Sequence, residues 1–185
     1  MKPQAKKQNR IQRTDKKVEE SLSYTVEVTD KEGRVLEHIS APSHSYAQQW
    51  NQLINVPASE TIQTVKDTGG IGRSVQNSDA NFAANAPIGN DFYGIRVGKG
   101  TTAVAITDYA LGIRCDEGTG TDQFNHQLVE FTEPAVVSSS CSFEIVRTMI
   151  NNSGATITVS EIGCYFYMYS WQGLAFRDVL PGEIN

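Results

Sequence analysis

Residues 142–162 read SFEIVRTMINNSGATITVSEI. Two runs rich in β-branched side chains, Ser142 to Ile150 and Thr156 to Ile162, flank the polar break Asn151-Asn152-Ser153-Gly154. Such side chains suit a pleated, half-buried surface, and a short Asn/Gly break between two such runs is a hairpin signal. The stretch predicts two antiparallel strands joined by a tight turn. Toward the C-terminus the pattern recurs in Cys164 to Tyr169 and Leu174 to Val179, around the polar Gln172-Gly173 turn. Toward the N-terminus lie Gln127 to Phe131, Thr101 to Ile106 and the alternating Tyr93, Ile95 and Val97, separated by Gly118-Thr119-Gly120 and Gly98-Lys99-Gly100. Short strands spaced by about 8 to 12 residues and punctuated by glycine predict a mainly β domain, an antiparallel β-sandwich or jelly-roll-like fold.

Order is expected to begin at Leu22, where the same reading continues. Leu22, Tyr24, Val26 and Val28 alternate with polar neighbours, the period of a half-buried strand. Asp30-Lys31-Glu32-Gly33 turns the chain, and Arg34 to Ile39 returns as a second strand. Pro42 should break this hairpin and Ser43 should cap one inserted helix over about 43–55, with Pro57 stopping it. Tyr46, Trp50, Leu53 and Ile54 make its apolar stripe, with Trp50 as a core anchor. Thr61 to Lys66 suggests a short strand. Residues 67–91 are rich in Gly, Asn, Ala and Ser and read as a long loop, extended and laid across a neighbour, since structureless loops of this length are usually functional or partner-ordered.

The chain has 185 residues, and its hydrophobic share of 39% suffices for one core, which argues against both disorder and two independent domains. Mean hydropathy is -0.36, and no stretch approaches the roughly 20 apolar residues of a membrane span. The N-terminus is too polar for a secretory signal. The formal charge of -5 hides a division. Residues 1–18 carry Lys2, Lys6, Lys7, Arg10, Arg13, Lys16 and Lys17 against Asp15, a net +6, while the other 167 residues carry nine basic and twenty acidic side chains, a net −11. The chain divides into a basic arm (1–20), too poor in apolar residues to fold without a partner, and a β domain (21–185). An acidic body is repelled by phosphate, so the arm is read as an interaction arm for a protein surface, with identical subunits the best match, rather than for nucleic acid.

The residue patterns that could carry chemistry are weak. Gly94-Ile95-Arg96-Val97-Gly98-Lys99-Gly100-Thr101 has three rather than four residues between its glycines and Gly100 after the lysine, which fails the phosphate-loop spacing. His38, His44 and His126 are too scattered for a metal site. Ser138-Ser139-Ser140 lacks the glycines of a nucleophile elbow. Cys115, Cys141 and Cys164 are odd in number, with no close pair, and read as free thiols of a reducing compartment. Asn151-Asn152-Ser153 fits a glycosylation acceptor, but nothing else points to secretion. No catalytic, cofactor or metal residue is assigned, and the reading is non-enzymatic. In Cys164-Tyr165-Phe166-Tyr167-Met168-Tyr169-Ser170-Trp171, alternation puts Cys164, Phe166 and Met168 on one face and Tyr165, Tyr167 and Tyr169 on the other. The tyrosines, with Trp171, are a candidate contact face.

Three blocks in order, Gly94-Ile95-x-Val97-Gly98-x-Gly100, Asn151-x-Ser153-Gly154-Ala155-x-Ile157-x-Val159-x-Glu161-x-Gly163 and Arg177-Asp178-Val179-Leu180, resemble a group of poorly characterised tailed-bacteriophage virion proteins. The resemblance spans about Ser43 to Leu180, the helix segment included. It implies a β-rich structural subunit of a virion, assembled in the host cytoplasm, with tail or neck the favoured place and homo-oligomeric contacts through arm, long loop and sheet edges. It assigns no activity to the blocks. The alternative it leaves is a virion-displayed receptor- or carbohydrate-binding module, or a head decoration or fibre protein. Arg177-Asp178 is expected as an ion pair fixing the last strand. Relatives continue past Pro181-Gly182 into another strand, which leaves the closing sheet edge of this chain to be completed by a neighbour.

Overall fold

Alternation over the first segment produces the hairpin it predicts. In the computed structural model, which describes residues 21–185 apart from Ser45, Glu60, Ala80, Asn81 and Ser139, β1 (Ser23–Thr29) pairs antiparallel with β2 (Val35–Pro42). Asp30 Oδ1 accepts the amides of Glu32 and Arg34 at 3.0 and 2.9 Å. Gly33 takes the positive φ of +80° that closes the turn. Pro42 pairs with Ser23 as the last rung rather than breaking the ladder. The basic arm lies outside the described residues.

The helix α1 (Gln48–Ser59) starts later and ends later than its caps predicted. Ser43 is not its N-cap. Its hydroxyl donates to Asp178 Oδ2 at 2.5 Å, and the His44 amide donates to Asp178 Oδ1 at 3.0 Å. The amides of Ala47 and Gln48 go instead to the carbonyls of Ala175 and Ile106, so tertiary partners satisfy the helix start. Pro57 lies inside α1. It removes one amide, while buried Leu53 and Val56 hold the helix on the core and Ser59 Oγ donates to the Asn55 carbonyl at 2.6 Å. Trp50 is the core anchor expected, stacked on Tyr46 at 5.4 Å and edge-on to Phe166 at 5.8 Å. Ile54 faces outward.

The remaining strands are β3 (Gln63–Lys66), β4 (Gly72–Val75), β5 (Gly94–Gly98), β6 (Asp116–Glu117), β7 (Gln123–Phe131), β8 (Ala135–Val137), β9 (Ser140–Ser142), β10 (Ile145–Ile150), β11 (Val159–Met168) and β12 (Trp171–Ile184), with a 3-10 turn at Asn77–Asp79. They form sheets β12-β11-β5 and β10-β7-β6 and the hairpins β1-β2, β3-β4 and β8-β9. All pairs are antiparallel except the short β6-β7. The fold is mainly β, as the sequence predicts.

Four local expectations change. Asn151–Gly154 keeps its turn chemistry, with Asn151 Oδ1 accepting the Ser153 amide at 3.0 Å and Gly154 at φ +75°. Its flanking strands, however, do not pair: β10 pairs with β7, and both edges of β11 are taken by β12 and β5. The turn passes the chain between two sheets. Thr101 to Ile106 is not a strand, because its carbonyls and amides serve side chains described below. Residues 156–162 and 164–169 are largely one continuous strand, β11. The long loop 67–91 contains β4, and Val75, Ala84 and Ala86 are buried in this chain's own interior, with Ala83 bridging to Tyr167.

The β12-β11-β5 sheet is covered on both faces. On one, Cys164, Phe166, Met168 and Phe176 meet α1 and β3-β4 through Leu53, Val56, Val65 and Val75. Further along that face, Val97, Ile162, Leu180 and Ile184 meet Tyr24 of β1 and Phe124 of β7. The other face carries Glu161, Gly163 and Tyr165 beneath residues 99–115.

Candidate functional site

The three sequence blocks converge on that second face. Glu161 stands in a strand otherwise apolar or small, and Gly98 lies directly across from it in β5. The carboxylate is fully buried. Oε1 accepts the amides of Gly100 at 2.8 Å and Ile113 at 2.9 Å; Oε2 accepts the Gly112 amide at 3.0 Å and Arg177 Nε at 2.7 Å. These four bonds use the acceptor capacity of a carboxylate. Arg177 continues the knot, donating Nη1 to Asp108 Oδ2 at 3.0 Å and Nη2 to the Thr102 carbonyl at 3.0 Å. Asp108 in turn accepts the Ala105 amide at 3.0 Å. Residues 99–113 are therefore bound to the sheet through one buried ion pair.

Two glycines of the first block, Gly98 and Gly100, permit this approach. A Cβ on Gly98 would collide with the Ile113 carbonyl oxygen, and one on Gly100 would stand 2.5 Å from Glu161 Oε1. Burial pushes the Glu161 carboxyl up, but the amides of Ile113, Gly112 and Gly100 and the Arg177 guanidinium together hold it below the usual carboxylate range. Burial alone would lower Arg177, and its bonds to Glu161 and Asp108 raise it above the ordinary value instead.

Arg177 and Asp178 do not pair with each other. Adjacent residues of a strand point to opposite faces, so Arg177 meets Glu161 while Asp178 emerges under the Ser43-His44 turn, bonded also to His44 Nδ1 at 2.6 Å. The expected ion pair is replaced by two clamps, one per face.

A second polar cluster flanks β5. Arg96, fully buried, donates Nη2 to the Cys115 carbonyl at 2.8 Å and to Asp116 Oδ1 at 3.1 Å, stands 3.2 Å from Asp91 Oδ2, and gives Nη1 to the Asp91 carbonyl. Glu117 Oε2 accepts the amide of His126 at 2.7 Å and its Nδ1 at 2.9 Å. That leaves His126 Nε2 buried without a hydrogen-bond partner among the described residues. Burial lowers the His126 pKa, more than Glu117 raises it. Arg147 donates to the carbonyls of Asn90, Tyr93, Ile95 and Gln127, closing the β5 edge that β11 leaves open.

The candidate contact face is divided. Tyr165 is buried, its hydroxyl accepting the Leu111 amide at 2.7 Å. Tyr167 is half-buried against Tyr93 and Phe92, and Trp171 is half-buried under the Arg73 guanidinium, 4.7 Å from its ring. Only Tyr169, at 63% exposure and φ +52°, stands out, as the turn residue between β11 and β12. Loop 99–115 forms the second covered layer over this face. The interaction-arm residues Lys2, Lys6, Lys7, Arg10, Arg13, Lys16 and Lys17 lie outside the described residues. No group of three or more His, Cys, Asp and Glu is placed to hold a metal among the described residues, and no described helix is long and apolar enough to cross a membrane.

One exposed apolar surface falls outside the contact face expected from the sequence. Among the described residues β8 and β9 pair only with each other, and every described residue from Glu130 to Glu144 is exposed. Val136 and Val137 are 74% and 72% exposed, and Phe143 56%. Leu128, Val146 and Ile150 extend this apolar surface along the outer face of β7 and β10. At the hairpin base a depression of about 460 Å³ is lined by Glu130, Phe131, Thr132 and Val146. The signal in the sequence was Ala135-Val136-Val137 before three serines, a short apolar run followed by polar residues.

No family model, curated protein or solved structure matches the chain.

Proposed function

We propose that this chain is a non-enzymatic structural subunit of a tailed-phage virion, placed in the tail or neck, with its sheets arranged as a β-sandwich or jelly-roll-like body. It assembles with identical subunits and other virion proteins. The observation that carries the reading is the projecting β8-β9 hairpin. A hairpin whose described residues are all exposed packs little against the described part of its own domain, and isolated two-stranded hairpins are marginally stable in water. Contiguous apolar surface of this kind marks an interaction site.

The resembling blocks support the same reading. Gly98, Gly100, Glu161, Gly163 and Arg177 are occupied in closing the interior, and Glu161, whose type could serve as a general base, has no acceptor position left for a substrate. The receptor- or carbohydrate-binding alternative relied on a displayed row of tyrosines, and with Tyr165 buried no observation favours it.

Quantitative mass spectrometry of gradient-purified particles tests the proposal. The chain is expected at a fixed stoichiometry per particle, and deletion of residues 1–18 is expected to lower that stoichiometry while the body still folds. A chain abundant in the lysate and absent from particles overturns it.

A further inference from the structure

The charge inventory of the described body singles out one partner for the exposed strip, an inference that rests on the assembly reading above. Residues 127–146 contain Glu130, Glu133 and Glu144 and no lysine or arginine. The three carboxylates are exposed and make no ion pair among the described residues. They border the apolar side chains Leu128, Phe131, Val136, Val137, Phe143 and Val146.

Every basic side chain of the described body is already engaged. Arg34, Arg73, Arg96, Lys99, Arg114 and Arg177 each pair with an aspartate, Lys31 stands 3.9 Å from Glu32, Arg147 serves backbone carbonyls, and Lys66 lies over the Tyr109 ring. The other concentration of positive charge in the chain is its first 18 residues, at net +6. Two strips facing each other would set glutamates against glutamates, so a symmetric strip-to-strip contact is disfavoured. A basic segment laid along the strip satisfies both features. Lysine and arginine stems cover apolar surface while their heads meet carboxylates, and Ile11 and Val18 supply apolar side chains for the depression at Glu130, Phe131, Thr132 and Val146.

We propose that residues 1–18 of one copy dock on the strip formed by the β8-β9 hairpin and the outer face of β7 and β10 of a second copy. Fully extended, 18 residues reach about 60 Å at roughly 3.3 Å each, enough to pass from one subunit to the next. The contact joins two different surfaces, so it closes as a reciprocal exchange of arms between two copies or propagates head-to-tail into a ring or tube.

Full-length protein in a charge-exchange experiment tests this by sedimentation equilibrium at low and high salt. One variant reverses the strip (Glu130→Lys, Glu133→Lys, Glu144→Lys); the other reverses the arm (Lys6→Glu, Lys7→Glu, Arg10→Glu, Arg13→Glu). Wild-type protein is expected to self-associate in a salt-sensitive way, and each variant to weaken association about tenfold or more, three exposed pairs being turned from attraction to repulsion. An equimolar mixture of the two variants is expected to recover wild-type association, because each arm then faces a strip of opposite charge. The neutral variant Glu130→Gln, Glu133→Gln, Glu144→Gln should weaken association less, in the same direction, and stands in if the reversed strip fails to fold. A monomeric wild type, variants without effect, or a mixture that stays dissociated overturns the proposal; the last outcome would place the arm on its own body or elsewhere. Particle stoichiometry is measured separately, so a wrong docking surface on a genuine virion protein is distinguishable from a protein that is not in the virion.

Discussion

Replacing Glu161 with glutamine exchanges one carboxylate oxygen for an NH2 group and should disrupt the buried knot. The substituted side chain would retain an oxygen for the amides of Gly100 and Ile113, but its NH2 would confront the Gly112 amide and Arg177 Nε, two donors that now share Oε2. An unsatisfied buried donor costs about 1–3 kcal/mol, and removing one partner of a buried ion pair costs about 3–5 kcal/mol. Arg177 keeps Asp108, so we expect a total of about 3–5 kcal/mol rather than the sum. In a domain of this size that corresponds to a fall in Tm of about 6–20 °C. Urea unfolding followed by tryptophan fluorescence, with thermal melts as a second measure, gives the number. The double variant Glu161→Leu, Arg177→Leu sharpens the test. Apolar replacement of a buried pair is often neutral, but here the amides of Gly100, Gly112 and Ile113 would remain without an acceptor, so the double variant should be no more stable than Glu161→Gln. A loss below about 1 kcal/mol for Glu161→Gln, or a double variant as stable as wild type, would refute the reasoning.

Gly98→Ala drives a Cβ into the Ile113 carbonyl, a backbone atom, and should destabilise by about 1–3 kcal/mol or more in the same urea assay. Gly33→Ala, strained in φ but in open space, should cost only about 1 kcal/mol. Acid should erode stability in two steps. The folded pKa of His126 is lowered from 6.5, so the unfolded chain takes up its proton first and stability present above pH 6.5 declines as pH falls below it. Glu161, Asp91 and Glu117, lowered from ordinary carboxylate values, add a second decline below about pH 4.5. His126→Gln should flatten the first step in denaturant titrations between about pH 5 and 7; an unchanged slope counts against the buried neutral histidine. A thiol reagent should label Cys141 alone in the native protein and three cysteines in urea, since Cys115 and Cys164 are buried and pushed up to about 11 and about 12. Native labelling at more than one site would contradict that packing.

Local pattern was a sound guide where one face of a segment meets water. The alternation in Ser23–Thr29 and Val35–Pro42 reads directly as β1-β2, because burial of one face imposes a period of two. It was a poorer guide where both faces are covered. Alternation separates Tyr165 from Phe166 but does not say what covers each face: Tyr165 is held under loop 99–115 by the Leu111 amide, while Phe166 packs with Trp50. Thr101 to Ile106 has β-branched composition but gives its Thr102 carbonyl to Arg177 and makes no ladder. β-propensity reports fit to a neighbouring surface, and that surface lies elsewhere in the chain.

By itself, the sequence determined the mainly β class, the first hairpin, the core role of Trp50 and the separation of a +6 arm from a −11 body, since periodicity and charge are local or additive properties. Tertiary structure decided which strands pair, that Asn151–Gly154 links two sheets, that Glu161 and Arg177 close the interior, and that the β8-β9 hairpin joins no further strand among the described residues. A turn fixes where the chain reverses, but the free edges and unfilled acceptors available across the fold determine what it then meets.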